Sequence, residues 1–157
     1  MKSLLFGKLE YFTIVKGVGT GSTFLNAFDK ALISAGIGNF NLVRVSSILP
    51  PGVKETQKIE LPPGHILPIA YGYAYSAEYG ERVTAAISVG IPASPEHVGV
   101  IMEYSGDLDE KEARDFVYHM AKEAMENRGI KIKKIMVEVS STRVEGKTCV
   151  FAGVAIW

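Results

Sequence analysis

The sequence predicts an α+β fold, with two amphipathic helices packed outside a sandwich of about seven strands. Apolar residues recur at the helical period in two segments, which sets the number of main helices. Runs rich in Val, Ile and Tyr, bounded by Gly and Pro, occupy most of the remaining chain and are typical of strands. With 157 residues, 47% of them apolar, the chain can close one hydrophobic core, so we expect a single domain over residues 1–157.

The beginning of the chain should contain a strand, a turn and a helix. Residues 11–16 are predicted to form the strand, and the glycine-rich residues 17–22 a flexible turn. Ser22 or Thr23 can cap the helix, and Gly36 suits its left-handed end. At about 100° per residue, the apolar side chains of this helix fall on one stripe: Phe24, Leu25, Phe28, Ala31, Leu32 and Ala35.

Four strands are expected in the middle of the chain. Residues 40–47 form the first, which must stop before a pair of prolines because proline cannot donate to a ladder. Three further strands follow after a polar stretch: residues 66–76, 82–91 and 97–104. We expect these three strands to form an antiparallel arrangement.

The last third should contain the second helix and two more strands. Asp107 or Asp109 can cap this helix, which is predicted to end near Gly129. Its apolar stripe is continuous: Ala113, Phe116, Val117, Met120, Ala121, Ala124 and Met125. Residues 130–144 and 148–157 then form two strands joined by a short turn.

Charge and cysteine content exclude several classes of partner. Seventeen basic and seventeen acidic residues give zero net charge, so neither nucleic acid nor an anionic membrane is expected to bind. The apolar run at the start, within residues 1–6, is too short for a leader or a membrane span, which predicts a cytoplasmic protein. Cys149 stands alone, which rules out an intrachain disulfide and a thiolate-rich zinc site, and we expect it to be buried in a strand.

Two familiar kinds of site are disfavoured by spacing. The glycine-rich turn reads G-x-G-x-G and lacks the third glycine of a dinucleotide motif, and the next strand does not end in the acid that would bind a ribose. His65, His97 and His119 are scattered without ligand spacing or triad order. We therefore expect no bound metal.

Ser46 and Ser47, at the end of a predicted strand, allow a different chemistry. The hydroxyl of a serine can attack the peptide bond before it, replacing the amide with an ester, where the backbone is strained and a donor stabilises the oxyanion. Elimination and hydrolysis would then turn Ser47 into a pyruvoyl group, a carbonyl that can react with amines. An ordinary polar strand end, making turn hydrogen bonds, remains the alternative.

A long set of segments resembles the pyruvoyl-dependent arginine decarboxylases. The set begins before the serine pair and continues, in the same order, through most of the chain. Its members are residues 25–29 (LNAFD), 35–51 (AGIGNFNLVRVSSILPP), 70–73 (AYGY), 85–89 (AAISV), 91–92 (IP) and 101–104 (IMEY).

This resemblance implies self-cleavage between Ser46 and Ser47. The products would be a β subunit of residues 1–46 and an α subunit of residues 47–157, whose first residue is the pyruvoyl group. The implied reaction converts L-arginine to agmatine and CO₂ through a Schiff base, at the head of polyamine biosynthesis. Asn41 matches the family asparagine near the scissile bond, where its amide could donate to an oxyanion.

The resemblance also assigns the remaining site residues. Glu103 matches the proton donor, and its place at the end of an apolar run predicts a raised pKa. Asp29, at the border of the first helix's apolar stripe, would pair with the substrate guanidinium. Ser46 and Ile48 would border the substrate through their adjacency to Ser47. Without the family, Asn41 reads as a turn residue, Glu103 as an exposed strand residue and Asp29 as a solvated aspartate.

The implied architecture is an αββα sandwich assembled into a homotrimer of αβ units, with active sites between protomers. Two alternatives remain open at this point. One is a pyruvoyl decarboxylase acting on another amino acid. The other is an unprocessed trimeric binding protein that keeps the fold without the chemistry.

Overall fold

Two β-sheets lie face to face in the computed structural model, and one helix covers the outer face of each sheet. The structure describes residues 6–157, so the apolar start of the chain falls largely outside the described residues. The elements are β1 (Tyr11–Thr20), α1 (Phe24–Ser34), β2 (Asn41–Arg44), β3 (Ile48–Leu49), β4 (Lys54–Glu55), β5 (Ile66–Ser76), β6 (Arg82–Pro92), β7 (Gly99–Gly106), α2 (Glu110–Glu126), β8 (Ile132–Arg143) and β9 (Thr148–Ile156). The predicted αββα sandwich of the α+β class is confirmed.

The two sheets differ in their strand directions. The first has the order β2-β5-β9-β1-β4, in which β9 is antiparallel to β1 and β5, while β2 and β4 run parallel to their neighbours. The second has the order β3-β7-β6-β8 and is antiparallel throughout. The expected grouping of β5, β6 and β7 is therefore wrong in part, because the chain changes sheets between β5 and β6.

Successive side chains of each strand point to opposite faces of its sheet, so the strands contribute to one core between the sheets and to smaller cores under the helices. Apolar residues on the inner faces of both sheets meet in the middle layer, with Phe12, Ile87 and Ile101 among them. Phe151 and Ile69 face α1 on the outer side of the first sheet. Cys149 belongs to this second cluster, where burial raises the pKa of its thiol to about 11, so the expectation of a buried cysteine in a strand is confirmed.

Helix α1 approaches β1 closely, and the glycine-rich segment is the reason. Strand β1 continues through Thr20, so the expectation of a flexible turn over residues 17–22 is wrong for most of that span. A Cβ on Gly17 would meet the backbone of Ala31, and a Cβ on Gly19 would meet that of Ala27 and Ala31. The glycines therefore allow helix and strand to pack without side chains between them.

The ends of α1 agree with the sequence, whereas its buried face is shifted. The Thr23 hydroxyl accepts a hydrogen bond from the Asn26 backbone N–H at 3.1 Å, and Gly36 has a φ of +80°. The predicted stripe is wrong at its first turn, because Leu25 is 70% exposed while Ala27 is fully buried. Small residues face the glycines of β1, and this turns the first apolar residues outward.

Helix α2 follows the expected pattern more closely. Asp109 is the cap, and with Glu112 it forms a capping box in which each side chain accepts from the other's backbone N–H. Five residues of the predicted stripe are buried against the second sheet: Ala113, Val117, Ala121, Ala124 and Met125. Phe116 departs from the prediction, since it is 49% exposed at the edge of the helix.

The predicted strand over residues 40–47 is two strands in different sheets. Strand β2 ends at Arg44, and β3 begins at Ile48 on the other side of the sandwich. The prediction of one strand is therefore wrong, because residues 45–47 cross from the first sheet to the second. Two short strands, β3 and β4, were not expected at all, since two residues carry no periodic pattern.

Candidate active site

Ser46 and Ser47 lie in the crossover between the two sheets. On one side, the Val45 N–H donates to the Ile69 carbonyl of β5 at 3.0 Å. On the other side, the Ser47 carbonyl accepts from the Ile101 N–H of β7 at 2.7 Å. The peptide bond between the two serines is therefore held from both ends at the edge of the sandwich, and the anchoring hydrogen bonds are made by the groups on either side of it.

Glu103 faces the gap between the sheets, next to this crossover. It lies two residues after Ile101 on β7, so both side chains point to the same face of the strand. Directly across the gap is Gly72 of β5, where an added Cβ would stand 3.4 Å from the Glu103 Cβ. The absence of a side chain at Gly72 leaves room for the carboxyl group.

Burial raises the pKa of the Glu103 carboxyl above its ordinary value of 4.5, and the Arg44 guanidinium opposes part of this rise. The side chain is 33% exposed, so water still reaches one side of it. The raised pKa predicted from the sequence is confirmed in direction. A carboxyl in this state can exchange a proton nearer to neutral pH than an exposed glutamate does.

Arg44 is part of the same group of side chains, although sequence reasoning did not single it out. Its guanidinium donates to the Tyr71 carbonyl at 2.7 Å and lies 4.6 Å from the centre of the Tyr71 ring. One nitrogen of the same guanidinium is 3.6 Å from a carboxylate oxygen of Glu103. The signal in the sequence was a charged residue between Val43 and Val45, directly before the serine pair.

Asn41 and Asp29 lie away from this group in the single chain. The Asn41 side chain donates to the Gly64 carbonyl at 2.7 Å, at the far end of β2 from the crossover. Five residues of extended chain, roughly 16 Å, separate Asn41 from Ser46. Asp29 is exposed on α1, outside the first sheet, whereas Glu103 lies between the sheets. The structure thus brings together Ser46, Ser47, Ile48, Arg44 and Glu103.

An open cleft lies farther along the edge of the sandwich, and its wall does not include Glu103. Its volume is about 680 Å³, and it lies between the end of β5 and the ends of β6, β7 and β8. Ser105, two residues beyond Glu103 on β7, is part of the wall, together with Tyr73 and Asp107. The cleft is large enough for a free amino acid.

Metal-binding clusters and membrane-spanning helices are absent from the part of the chain that the structure describes. Within residues 6–157, His, Cys, Asp and Glu side chains form no cluster of three that could hold a metal ion. In the same range, neither helix combines the length and the apolar character that a membrane span requires.

The surroundings of Ser47 fit a pyruvoyl group. Converting a serine to a pyruvoyl group changes its amino and hydroxymethyl groups but keeps its carbonyl, which the Ile101 N–H holds at 2.7 Å. The group would therefore stay at the edge of β7, two residues along the strand from the Glu103 carboxyl. Fold and site together define an α+β sandwich protein with a serine-bearing crossover beside a half-buried carboxyl.

Comparison with known proteins identifies the family. The sequence model of the family described as pyruvoyl-dependent arginine decarboxylase matches residues 11–155. Proteins of that name from Methanococcus vannielii and Methanocaldococcus jannaschii are each 46% identical over 145 residues, which is 92% of this chain and 88% of theirs. The protein of that name from Thermococcus kodakarensis is 37% identical over 137 residues, which is 87% of each chain. The chain belongs to the pyruvoyl-dependent arginine decarboxylase family.

The chain is also similar to a protein of known structure. It is a pyruvoyl-dependent histidine decarboxylase at pH 8, with a TM-score of 0.48 and 17% sequence identity. The alignment covers 62% of this chain and 52% of that chain.

Proposed function

We propose that this protein is a self-processing decarboxylase that converts L-arginine to agmatine and CO₂ with a pyruvoyl group made from Ser47. Membership of the family supports the reaction and the cofactor. The observation in the structure that carries the proposal is the position of the Ser46–Ser47 bond, which is anchored from both sheets in the crossover next to Glu103. Neither serine would need to move far for the chemistry to begin.

Processing follows from the order of atoms in the crossover. The Ser47 hydroxyl oxygen attacks the Ser46 carbonyl carbon, the C–N bond breaks, and an ester joins the two residues through that oxygen. Loss of the Ser47 α-proton then breaks the bond between Cβ and oxygen, so Ser46 leaves as a carboxylate. Water replaces the nitrogen of the remaining dehydroalanine, and ammonia is released. The products are residues 1–46 and a pyruvoyl-blocked chain that begins at position 47.

The pyruvoyl group supplies a ketone that condenses with the substrate amine and accepts electrons as CO₂ leaves. Glu103 then donates a proton to the substrate α-carbon, a role that its raised pKa supports. The Ile101 N–H holds the carbonyl of residue 47, and this fixes the reacting end of the substrate relative to Glu103. The cleft bordered by Ser105, two residues beyond Glu103 on β7, offers space for the rest of the amino acid.

We assign the remaining site residues to binding and processing. Asp29 pairs with the guanidinium of arginine, and Ser46 and Ile48 border the substrate. Asn41 donates to the oxyanion formed during cleavage or to the pyruvoyl oxygen. Since Asp29 lies on the outer face of the molecule and Asn41 at the far end of β2, both assignments place the complete site between subunits.

A homotrimer of cleaved αβ units is part of the proposal, as is a cytoplasmic location. In the described chain, β2 covers the edge of β5 only as far as Ile69, and the rest of that edge carries a partly exposed cluster of aromatic rings. Phe24 and Leu25 extend this apolar surface onto α1. A surface of this kind is typical of contacts between subunits.

Intact mass spectrometry of the purified protein tests the proposal. The wild-type protein should give two chains that break between Ser46 and Ser47, with the larger one blocked at its amino terminus. Ser47→Ala should remain one chain and release no CO₂ from arginine, while Ser94→Ala, in a turn away from the crossover, should behave as wild type. CO₂ release by Ser47→Ala would contradict the mechanism.

A panel of amino acids tests the substrate assignment. CO₂ release should be fastest with arginine, because an aspartate pairs with a planar guanidinium through two hydrogen bonds and with an ammonium less well. Faster release from another amino acid would transfer the assignment to that substrate. An uncleaved protein that binds amino acids without releasing CO₂ would instead be a binding protein.

A further inference from the structure

We propose that Arg44 is a positioning residue with two successive partners: it holds Glu103 in the uncut chain, and it turns to the new carboxylate of Ser46 once the chain is cut. This inference rests on the proposed self-cleavage. It adds a role for a residue that neither makes nor breaks a bond in the reaction. The cut would change the electrostatic state of the proton donor as well as create the cofactor.

Every side-chain contact that defines the position of Arg44 crosses the cleavage site. Arg44 itself would belong to the fragment of residues 1–46. Its hydrogen bond to the Tyr71 carbonyl, its place over the Tyr71 ring and its ion pair with Glu103 all reach into the fragment of residues 47–157. Arg44 therefore ties the two fragments together beside the crossover, and breaking the Ser46–Ser47 bond does not remove its contacts with Tyr71.

The geometry leaves the guanidinium free to take a second partner. A guanidinium has five N–H donors, and its hydrogen bond to Tyr71 already has a favourable length of 2.7 Å. The approach to Glu103 is looser, at 3.6 Å, compared with about 2.8 Å for a strong charge-assisted hydrogen bond. The contact with Glu103 is thus the one that a better anion would replace.

Cleavage supplies such an anion two residues away. In the uncut chain, the Ser46 carbonyl is a neutral amide, and in the cut chain it becomes a carboxylate at a free end. Two residues of extended chain span roughly 7 Å, which an arginine side chain can reach. A free chain end can also turn toward the guanidinium, whereas the anchored crossover cannot.

Cleavage should raise the pKa of Glu103. Within the described part of the chain, Arg44 from β2 is the charged side chain that acts on this carboxyl. The other neighbours are uncharged: Gly72 and the Tyr71 carbonyl on β5, Ile87 opposite on β6, and Ser105 on the same face of β7. Losing the guanidinium and gaining a nearby carboxylate both favour the protonated form. The pKa of the proton donor would therefore be lower in the uncut chain than in the processed protein.

Titration of Glu103 in the two forms tests this proposal. Carbon-13 NMR of labelled glutamate carboxyls can follow Glu103 in uncut Ser47→Ala and in processed wild-type protein, with Glu103→Gln used to assign the signal. The pKa of Glu103 should be higher in the processed protein by roughly one unit. Equal values in the two forms, or a lower value after processing, would overturn the proposal.

Arg44→Gln in the uncut Ser47→Ala background tests the first half alone. The pKa of Glu103 should rise, whereas Arg128→Gln, at the end of α2, should leave it unchanged. An unchanged pKa with Arg44→Gln would show that Arg44 does not hold Glu103. If Arg44→Gln fails to fold, the comparison of the two forms still decides, because it needs no change at Arg44.

The crystal structure of the processed protein tests the second half. Arg44 should lie within hydrogen-bond distance of the Ser46 carboxylate and beyond about 4 Å from Glu103. An ion pair still formed between Arg44 and Glu103 would contradict the exchange. If wild-type protein stays a single chain by mass, the proposed function fails. The Arg44→Gln titration still reports separately on the contact between Arg44 and Glu103 in the uncut chain.

Discussion

The first sheet contains two segments with unusual composition, and they serve different purposes. At the end of β1, Gly17 and Gly19 bring the strand against the backbone of α1, so this segment is defined by packing. After β2, residues 45–47 leave the sheet and cross to the other one, with hydrogen bonds to β5 and β7 on either side. The glycine-rich segment is buried in a continuous ladder, whereas the serine-bearing crossover is held only at its ends.

In this sandwich, the backbone that is open to reaction lies in the crossover and not in the ladder. A peptide bond inside a ladder has its N–H and C=O engaged and its neighbours fixed by two strands. A crossover between sheets is fixed at its ends and open in the middle, so a side chain can approach the carbonyl carbon. Glycine content, the more conspicuous signal in the sequence, belongs to the segment without chemistry.

Among the variants that still fold and are cleaved, Glu103→Gln should show the largest loss of turnover. The variant should fold and be cleaved, because the amide has nearly the same shape, but it cannot donate the proton in the same way. Turnover of arginine should fall by roughly 10²- to 10⁴-fold. Rates of CO₂ release, measured on protein whose cleavage has been checked by mass, test this expectation.

Glu138→Gln is the matched control for that measurement. Glu138 is a strand glutamate on β8 that pairs with Lys16 at 3.0 Å, in the corner where the two sheets meet near β1. Its loss should leave turnover within about twofold of wild type, as is usual for a partly exposed ion pair. Equal losses in both variants would mean that Glu103 supports the fold and is not the proton donor.

Gly19→Ala should disrupt the packing of β1 against α1. The added Cβ would overlap the backbone of α1 at Ala27 and Ala31, which cannot move as a flexible side chain would. We expect a loss of about 3 kcal/mol in the free energy of unfolding, near the upper end for overpacking. Denaturant unfolding in the uncut Ser47→Ala background measures it, with Val18→Ala as a control on the same strand. An unchanged stability would mean that the helix packs less closely than described.

Asp29→Asn tests the second function proposed for α1, which is substrate binding. The inner face of α1 packs on the glycines, and Asp29 is exposed on the same helix. Loss of the carboxylate charge should raise the KM for arginine by roughly ten- to a hundredfold, with a smaller change in kcat. Asp115→Asn on α2 is the control for loss of an exposed aspartate. A KM unaffected by Asp29→Asn would remove this residue from the substrate site.

The smallest expected effect is the pH dependence of stability due to Glu103. Its pKa is raised in the folded protein above the ordinary value of 4.5, so the folded state binds more protons than the unfolded state above that pH. Its contribution to stability should therefore fall as pH rises from about 4.5 through the folded-state pKa. Denaturant unfolding of Ser47→Ala across this range should show a steeper fall in stability with rising pH than Ser47→Ala/Glu103→Gln does, and the difference between the two slopes measures Glu103.

Much of the fold follows from local patterns in the sequence. Both helices, their caps at Thr23 and Asp109, and the left-handed end at Gly36 were predictable, because each depends on a few neighbouring residues. The long strands were also predictable from their composition. The division of β5, β6 and β7 between two sheets was not, since pairing partners far apart in the sequence decide it.

The candidate site was predictable to the extent that it depends on the chain near Ser47. The apolar run before Glu103 indicated burial of the carboxyl, and the direction of its pKa followed. The contact between Arg44 and Glu103 could not be read from the sequence, because the two residues are 59 positions apart and only the fold brings them together. The roles of Asp29 and Asn41 remain predictions that single-chain geometry does not test.

The position of β1 makes the refolding of a cleaved molecule a reaction between two chains. Residues 1–46 would supply β1, α1 and β2, and β1 lies inside its sheet, bound along nine residue pairs to β9 at the other end of the chain. The shorter chain would therefore contribute an inner strand to a sheet whose other strands come mostly from the longer chain. A cut molecule that unfolds would have to find its lost piece by diffusion, so its recovery should slow on dilution, whereas an uncut molecule should recover at the same rate at any concentration.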